Sequence, residues 1–337
     1  MAKNSLKTHL ITGRPYLENL LKKALKTREI QKILVYPVKV RLTPAFEHVV
    51  LAVKVRLGKG RAIGLYAMGH SNGIKEKSFY ILKFLRERRA RTRLAVPEPL
   101  LYDVRTKAII YKELNGPNLY ALFEKKKKRL GPIFAELGRC VARLHALQPG
   151  KIFKKHEVSL NELDPTGIRR DIELHHPDLF ARISAAERKL ARIQKKVCAK
   201  SVKRVLVHGD LHPENVIVLN HDHQRPKLGL IDVENAGLAD SAYDLGSFLE
   251  QVKIMAAPFY DAKTVQGFQN RFFKSYTAAS NIKVSPDFEK RINFYKAFFG
   301  LKAAIFYFEL GRRARMGVIL KRVEKYLDEL EFKNTRI

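Results

Sequence analysis

The segment from Val205 to Glu234, VLVHGDLHPENVIVLNHDHQRPKLGLIDVE, constrains this chain more than any other part of it. Val205, Leu206 and Val207 predict a short buried strand, and Val216 to Leu219 predict a second. Between them lies the polar loop His208-Gly209-Asp210-Leu211-His212-Pro213-Glu214-Asn215. A polar turn then leads to a third strand, Leu228 to Ile231, which ends at Asp232. Two carboxylates and one carboxamide are thus expected at strand ends, where a rigid hairpin holds them on one side of a cleft. An isolated Asp or Asn in a loop is a turn former, because its side chain bonds nearby backbone amides. An ordered set of this length, followed by a second Asp after the next strand, reads instead as a site.

Those three side chains suit phosphoryl transfer, which depends on positioning and on neutralising charge more than on covalent chemistry. A carboxylate such as Asp210 orients a hydroxyl and takes its proton, while oxygen ligands such as Asn215 and Asp232 grip magnesium as it bridges phosphates. The loop resembles the catalytic loop of the protein-kinase-like fold, in which an Asp is followed five residues later by an Asn, with a metal-binding Asp downstream. Its wording is closer to the aminoglycoside phosphotransferase and choline kinase family, whose loop reads His-Gly-Asp-x-His-x-x-Asn and whose later motif reads Ile-Asp-x-Glu. Here the loop is followed by Ile231-Asp232-Val233-Glu234 and then by Asp240-Ser241-Ala242-Tyr243-Asp244-Leu245-Gly246, in the family's order. The resemblance implies Asp210 as the catalytic base and Asn215 and Asp232 as the magnesium ligands. His212 stands where protein kinases carry a Lys two residues after their Asp, which implies a place near the transferred phosphate. His208 is expected to anchor the loop by hydrogen bonds, and Glu234 and Asp244 to support it or to tether a helix.

The resemblance implies an α+β, protein-kinase-like fold of two lobes. A small N-terminal lobe over residues 1–114 holds an antiparallel sheet and a helix; a larger, mainly helical C-terminal lobe covers 115–337. The chain in order agrees. Pro15 suits the first turn of a helix, and Leu17, Leu20, Leu21, Ala24 and Leu25 recur at helical spacing. Runs rich in β-branched residues, Ile33 to Leu42, His48 to Leu57 and Arg61 to Met68, predict an antiparallel meander whose last turn is Gly58-Lys59-Gly60. Asn72-Gly73 breaks it. Phe79, Leu82 and Leu85 mark a helix to about Arg91, and strands follow near Leu100 to Val104 and Ala108 to Leu114.

Lys112-Glu113-Leu114 would then be the hinge near the adenine, followed by the turn Asn115-Gly116-Pro117-Asn118-Leu119. The nucleotide-binding Lys of the third strand is missing from Arg61-Ala62-Ile63-Gly64-Leu65-Tyr66-Ala67-Met68. Lys54 and Arg61 are the substitutes, with Glu76, early in the helix, as partner to whichever serves. Lys54, Glu76 and Glu113 are therefore the expected nucleotide-binding residues. The first hairpin, Thr43-Pro44-Ala45-Phe46-Glu47, has no glycine, so a glycine-rich cover for the phosphates is absent.

Ile133, Phe134, Leu137, Val141 and Leu144 predict an amphipathic helix from Pro132 to Leu147, in which His145 reads as a packed structural residue. Lys151 to His176 reads as a polar, irregular insertion, and Leu190, Ile193 and Val197 mark another helix. After Gly246 the pattern is helical to the end. Ser285 before Pro286 is a start signal, the aromatics from Phe294 to Phe308 read as core, and Met316, Ile319, Val323, Leu327 and Leu330 mark the last helix.

With 337 residues and 46% hydrophobic content the chain has enough apolar surface for a sizeable core. It has no run of eighteen apolar residues, and its N-terminus has no continuous apolar stretch, so neither a spanning helix nor a signal peptide is expected and the location is read as cytoplasmic. Cys140 and Cys198 fall at apolar helix positions and read as reduced core thiols. Sixty-five Lys and Arg against 33 Asp and Glu give a formal net charge of +32, with local runs at Arg86 to Arg93 and Lys125 to Arg129. That field attracts polyanions such as RNA or anionic lipid, although no zinc-ligand spacing, RNA-binding signature or repeat accompanies it.

The expected activity is transfer of the γ-phosphate of ATP (or GTP), with Mg2+, to a hydroxyl of a small molecule. A sugar, glycan or nucleoside acceptor fits the charge better than a polycationic aminoglycoside. The rival reading is a catalytically degraded kinase fold that binds RNA or anionic membrane through its basic surface.

Overall fold

The β-branched runs of the N-terminal region form β1 (Lys32–Leu42), β2 (Glu47–Arg56) and β3 (Ile63–His70) in the computed structural model, which describes residues 7–43, 46–58, 60, 62–150, 153, 167–197, 202–220 and 226–332. Val49, Leu51, Val53 and Val55 alternate along β2 and are buried with Leu65 and Ala67 of β3. They meet Leu17, Leu20, Leu21 and Ala24, which line one face of α1 (Arg14–Leu25) at the i, i+3, i+4, i+7 spacing. Pro37 is tolerated because β1 is an edge strand whose register shifts between Pro37 and Lys39.

The chain continues through α2 (Ile74–Glu87), the single turn α3 (Arg89–Thr92), β4 (Leu94–Ala95), β5 (Glu98–Asp103) and β6 (Ala108–Lys112). The sheet order is β1-β2-β3-β6-β5, antiparallel throughout. Burial of Ile81, Leu82, Phe84 and Leu85 fixes the apolar face of α2. The two-residue β4 pairs in parallel with the later strand β9 (Lys227–Leu230), a link too short to leave a sequence signal. Met1–Gly116 and Lys227–Glu234 make one compact unit; Pro117–Pro226 and Asn235–Ile337 make the other.

The second unit is mainly helical: α4 (Leu119–Glu124), α5 (Gly131–His145), α6 (Arg169–His175), α7 (Pro177–Val197), α8 (Ala242–Ala256), α9 (Ala262–Ser280), α10 (Pro286–Glu309) and α11 (Arg313–Phe332). It also holds β7 (Val205–Val207), β8 (Val216–Asn220) and β10 (Gly237–Ala239), and β10 pairs antiparallel with β7. Phe123, Phe134 and Phe268 stack nearly parallel at its centre, with Phe248 and Phe272 beside them. The Ser285 side chain accepts from the Phe288 N–H and caps α10, as its place before Pro286 leads one to expect.

Three expectations change. The stretch Asn115 to Leu119 is a turn only as far as Asn118, whose side chain accepts from the Ala121 N–H and starts α4. The polar span Lys151 to His176 is not irregular throughout, since α6 occupies Arg169–His175; residues 151–152 and 154–166 lie outside the described residues. The aromatic stripe of α10 is core at Phe294, Tyr295, Phe298, Phe299 and Phe308, but Phe306 is 52% exposed. Cys140 is fully buried and burial pushes its thiol up to about 12, which makes it inert; Cys198 is outside the described residues. Among the described residues no helix is long and apolar enough to cross a membrane.

Candidate active site

In the helical unit one buried carboxylate holds the loop that follows β7. Asp244, in the first turn of α8, accepts from the backbone N–H of His208 at 2.7 Å and of Gly209 at 3.0 Å. Its Oδ2 also lies 3.1 Å from His145 Nε2, and His145 Nδ1 lies 2.9 Å from the Tyr276 hydroxyl. His145 thus bridges the buried carboxylate and the Tyr276 hydroxyl, a structural role. Burial raises the Asp244 carboxyl, but the hydrogen bond and charge of His145, with those of His208, outweigh it and hold the group below the usual carboxylate range. Gly209 has φ 81, and a Cβ there would stand 2.1 Å from the Asn235 carbonyl oxygen, so no other residue fits.

Asp210 follows, its side chain 34% exposed. Its N–H donates to His208 Nδ1 at 3.3 Å, which gives His208 the anchoring role expected of it. Asn215 is buried, and its Nδ2 donates to the Asp210 carbonyl oxygen at 2.9 Å while standing 2.9 Å from His212 Nε2. His212 Nε2 is also 3.6 Å from Asp210 Oδ2. A neutral His212 accepts from Asn215; a protonated one donates to Asp210. Burial raises the Asp210 carboxyl, yet the hydrogen bond and charge of His212, with the charges of His208 and Lys302, hold it below the usual range. Asp210, His212 and Asn215 thus meet in one loop, and both amide hydrogens of Asn215 face into it. That leaves the Asn215 carbonyl oxygen, the atom a hard cation takes, with no hydrogen bond from the described residues.

In the sheet unit Asp232 follows β9, exposed and in the left-handed region at φ 58, a conformation Asp tolerates better than most residues. Two residues on, Glu234 pairs with Lys75 Nζ. The Lys75 side chain is only 3% exposed, although lysine is almost never fully buried unless paired. Beside it, burial lowers the pKa of Lys77 and the charge of Glu234 partly offsets this. His48 and His70 face each other across β2 and β3 with ring centroids 5.0 Å apart. Burial, with the charges of Lys39, Lys75 and His70, pushes His48 down to about 4, and burial and Lys75 lower His70. Burial and then the charge of Asp232 raise Tyr111, whose hydroxyl meets Met68 Sδ at 2.8 Å.

Of the expected nucleotide ligands, Lys54 lies on β2, Glu113 just after β6 and Glu76 on α2, next to Lys75 in the chain. Lys54 is exposed and opposite Gly64, and the Glu113 N–H donates to the Gly64 carbonyl oxygen at 3.0 Å, so Lys54, Gly64 and Glu113 share one row across the sheet. Glu76 is exposed and forms no ion pair among the described residues. Arg61, Lys59, Pro44 and Ala45 lie outside the described residues. Lys75 is the residue that reading the sequence missed. Its signal was there: with Ser78, Leu82 and Leu85 it falls on the buried face of α2, where a cation needs a reason.

Among the described residues no three His, Cys, Asp or Glu cluster as a metal site. A magnesium ion does not need one, because it keeps several waters and binds through one or two protein oxygens plus substrate phosphates. The oxygens of Asn215 and Asp232 are of that hard kind.

The family model of the phosphotransferase enzyme family, APH, matches residues 75–279, well over half of the chain. The chain belongs to the APH phosphotransferase family. APH-family resemblance in the loop wording is therefore family membership, and it spans β3's following helix to α9. No curated protein sequence matches the chain. Among solved structures, the GDP complex of wild-type aminoglycoside 2'-phosphotransferase-IIIa is 12% identical, with 94% of this chain and 99% of that one covered and a TM-score of 0.57. Spectinomycin phosphotransferase in complex with ADP and spectinomycin is 15% identical, with coverage of 90% and 94% and a TM-score of 0.55. A choline/ethanolamine kinase family protein from Mesorhizobium loti is 18% identical, with coverage of 94% and 98% and a TM-score of 0.54. At such identities the likeness is one of fold, and the fold is protein-kinase-like.

Proposed function

We propose that this APH-family phosphotransferase moves the γ-phosphate of ATP or GTP to a hydroxyl of a neutral or anionic small molecule such as a sugar, glycan or nucleoside. One observation carries the reading: the loop that bears Asp210 and Asn215 is built as a unit, with its backbone clamped by Asp244 and the Asn215 amide bonded back to the Asp210 carbonyl. A degraded site would have no reason to keep a low-pKa carboxylate one-third exposed at the tip of a clamped loop. Asp210 orients the acceptor hydroxyl and takes its proton, and His212 beside it offers a hydrogen bond to developing charge. Asn215 and Asp232 would hold magnesium, which when bound neutralises the phosphates. Glu113, in the row of Lys54 and Gly64, is assigned to the nucleotide's base. The GDP and ADP in the solved relatives support a purine nucleotide here. The acceptor class rests on the net charge of +32, which disfavours a polycation.

Thermal unfolding tests the nucleotide claim. Magnesium with ATP or GTP at about a hundred times its dissociation constant adds roughly 2.7 kcal/mol to the native state, and Asp232→Ala abolishes that shift. A wild type that shifts with neither nucleotide sinks the proposal.

The cation is assigned to Lys75 in preference to Lys54, because a buried ammonium beside Glu234 is preorganised and an exposed strand lysine is not. Lys75→Met is expected to weaken nucleotide binding by about tenfold or more, a loss of about 1.4 kcal/mol, and Lys54→Met by about threefold at most. Titration calorimetry with a non-hydrolysable nucleotide reads both, and the reverse order would return the role to Lys54.

A further inference from the structure

The basic run Lys125-Lys126-Lys127-Lys128-Arg129 lies outside both the loop after β7 and the segment 227–234. It joins α4 to α5, and Lys127, Lys128 and Arg129 line a cavity of about 670 Å³ together with Arg271 of α9. No carboxylate lines this cavity, and none of the four cations forms an ion pair among the described residues. Along α7, by contrast, Arg182 is paired with Glu324, Lys189 with Asp328 and Arg192 with Glu331. Four like charges around one concavity repel each other, and low-dielectric walls focus their field outward.

The cations sit on a stiff frame. Lys126 and Arg129 adopt left-handed backbone, φ 45 and φ 61, where glycine or asparagine is usual. The Lys126 N–H donates to the Phe123 carbonyl at 2.8 Å and the Lys127 N–H to the Leu122 carbonyl at 3.0 Å, which closes α4. The Tyr260 hydroxyl donates to the Lys127 carbonyl at 2.8 Å. At the start of α5, a Cβ on Gly131 would lie 2.9 Å from Cδ and Nε of Arg271, so glycine is what lets that side chain lie against the helix. Phe268, a member of the stacked core, forms the wall beneath.

We infer that this cavity is a second binding site, sharing no residue with the loop after β7, for a compact polyanion that carries several phosphate groups on a small frame. The volume is that of a small-molecule site. A single phosphate would leave most of the four charges unmatched.

Calorimetric titration of the full chain with inositol hexakisphosphate at about 0.15 M salt, where surface charge is screened beyond about 8 Å, tests the site. One variant removes Lys127, Lys128 and Arg271 to alanine; a control removes the same charge at Arg89, Lys195 and Lys196, all exposed. The cavity variant is expected to weaken binding by about 30-fold or more and the control by about threefold at most. Lys75→Met, which removes the cation assigned to the nucleotide's phosphates, is expected to bind the probe as the wild type does. Equal losses in cavity variant and control would mean diffuse attraction and overturn the site. So would loss of binding in Lys75→Met, which would put the probe in the nucleotide site, or no binding by the wild type. Binding of single-stranded RNA or anionic vesicles with none of the inositol phosphate would overturn the ligand class.

Discussion

Asp210→Asn is expected to lower kcat by about 10²- to 10⁴-fold while nucleotide affinity stays within about twofold. The exchange keeps the side chain's size, and the backbone of the loop is held by Asp244 rather than by Asp210, so the site keeps its shape. What disappears is the proton acceptor. Release of nucleoside diphosphate, followed with a panel of sugars and nucleosides, measures the effect; a variant as active as the wild type removes Asp210 from the mechanism. The wild-type pH profile carries a second check. The Asp210 carboxyl is held below its ordinary value by His212, His208 and Lys302 against the effect of burial, so it stays ionised from neutral pH down past about 3.9. Activity lost between pH 7 and 5 must then come from another group.

Asp244→Asn is expected to destabilise the helical unit by about 3–5 kcal/mol, the range for breaking a buried charge pair by removing one member. Asp244 is fully buried and accepts from two backbone N–H groups and from His145. An amide offers one acceptor oxygen, and its NH₂ must then confront a donor. Urea unfolding followed by fluorescence of the tyrosine-rich helices reads the loss. The sign of the pH dependence follows from the depressed folded pKa: the wild-type advantage is present above the unfolded carboxyl value, about 3.9, and fades as pH falls through the lower folded value. A variant with an unchanged midpoint at pH 7 would mean that the clamp is dispensable.

The parts of the fold that came from local chemistry were legible. Alternating Val49, Leu51, Val53 and Val55, the Pro15 helix start and the Ser285 cap are all short-range signals, and each element stands where its signal put it. The loop from His208 to Asn215 was legible for the same reason, because its hydrogen bonds are mostly between near neighbours. What could not be read is long-range. Leu94–Ala95 is a strand only because Leu228 and Gly229 lie beside it. Lys75 shows its partner only when Glu234 is brought to it, and the row joining Lys54, Gly64 and Glu113 needs the register of three strands. The helix Arg169–His175 failed for another cause: a seven-residue helix rich in charge has almost no apolar periodicity to detect.

Lys75 and Glu234 are 159 residues apart. During synthesis the sheet emerges first, yet its ammonium has no counter-charge and β4 no parallel partner until residues 227–234 have been added. At about 5–20 residues per second that interval is on the order of ten to thirty seconds. The unit begun first is therefore completed only after residues 117–226 of the other have been made. A nascent chain that ends before Glu234 lacks the carboxylate that pairs with Lys75 on the buried face of α2.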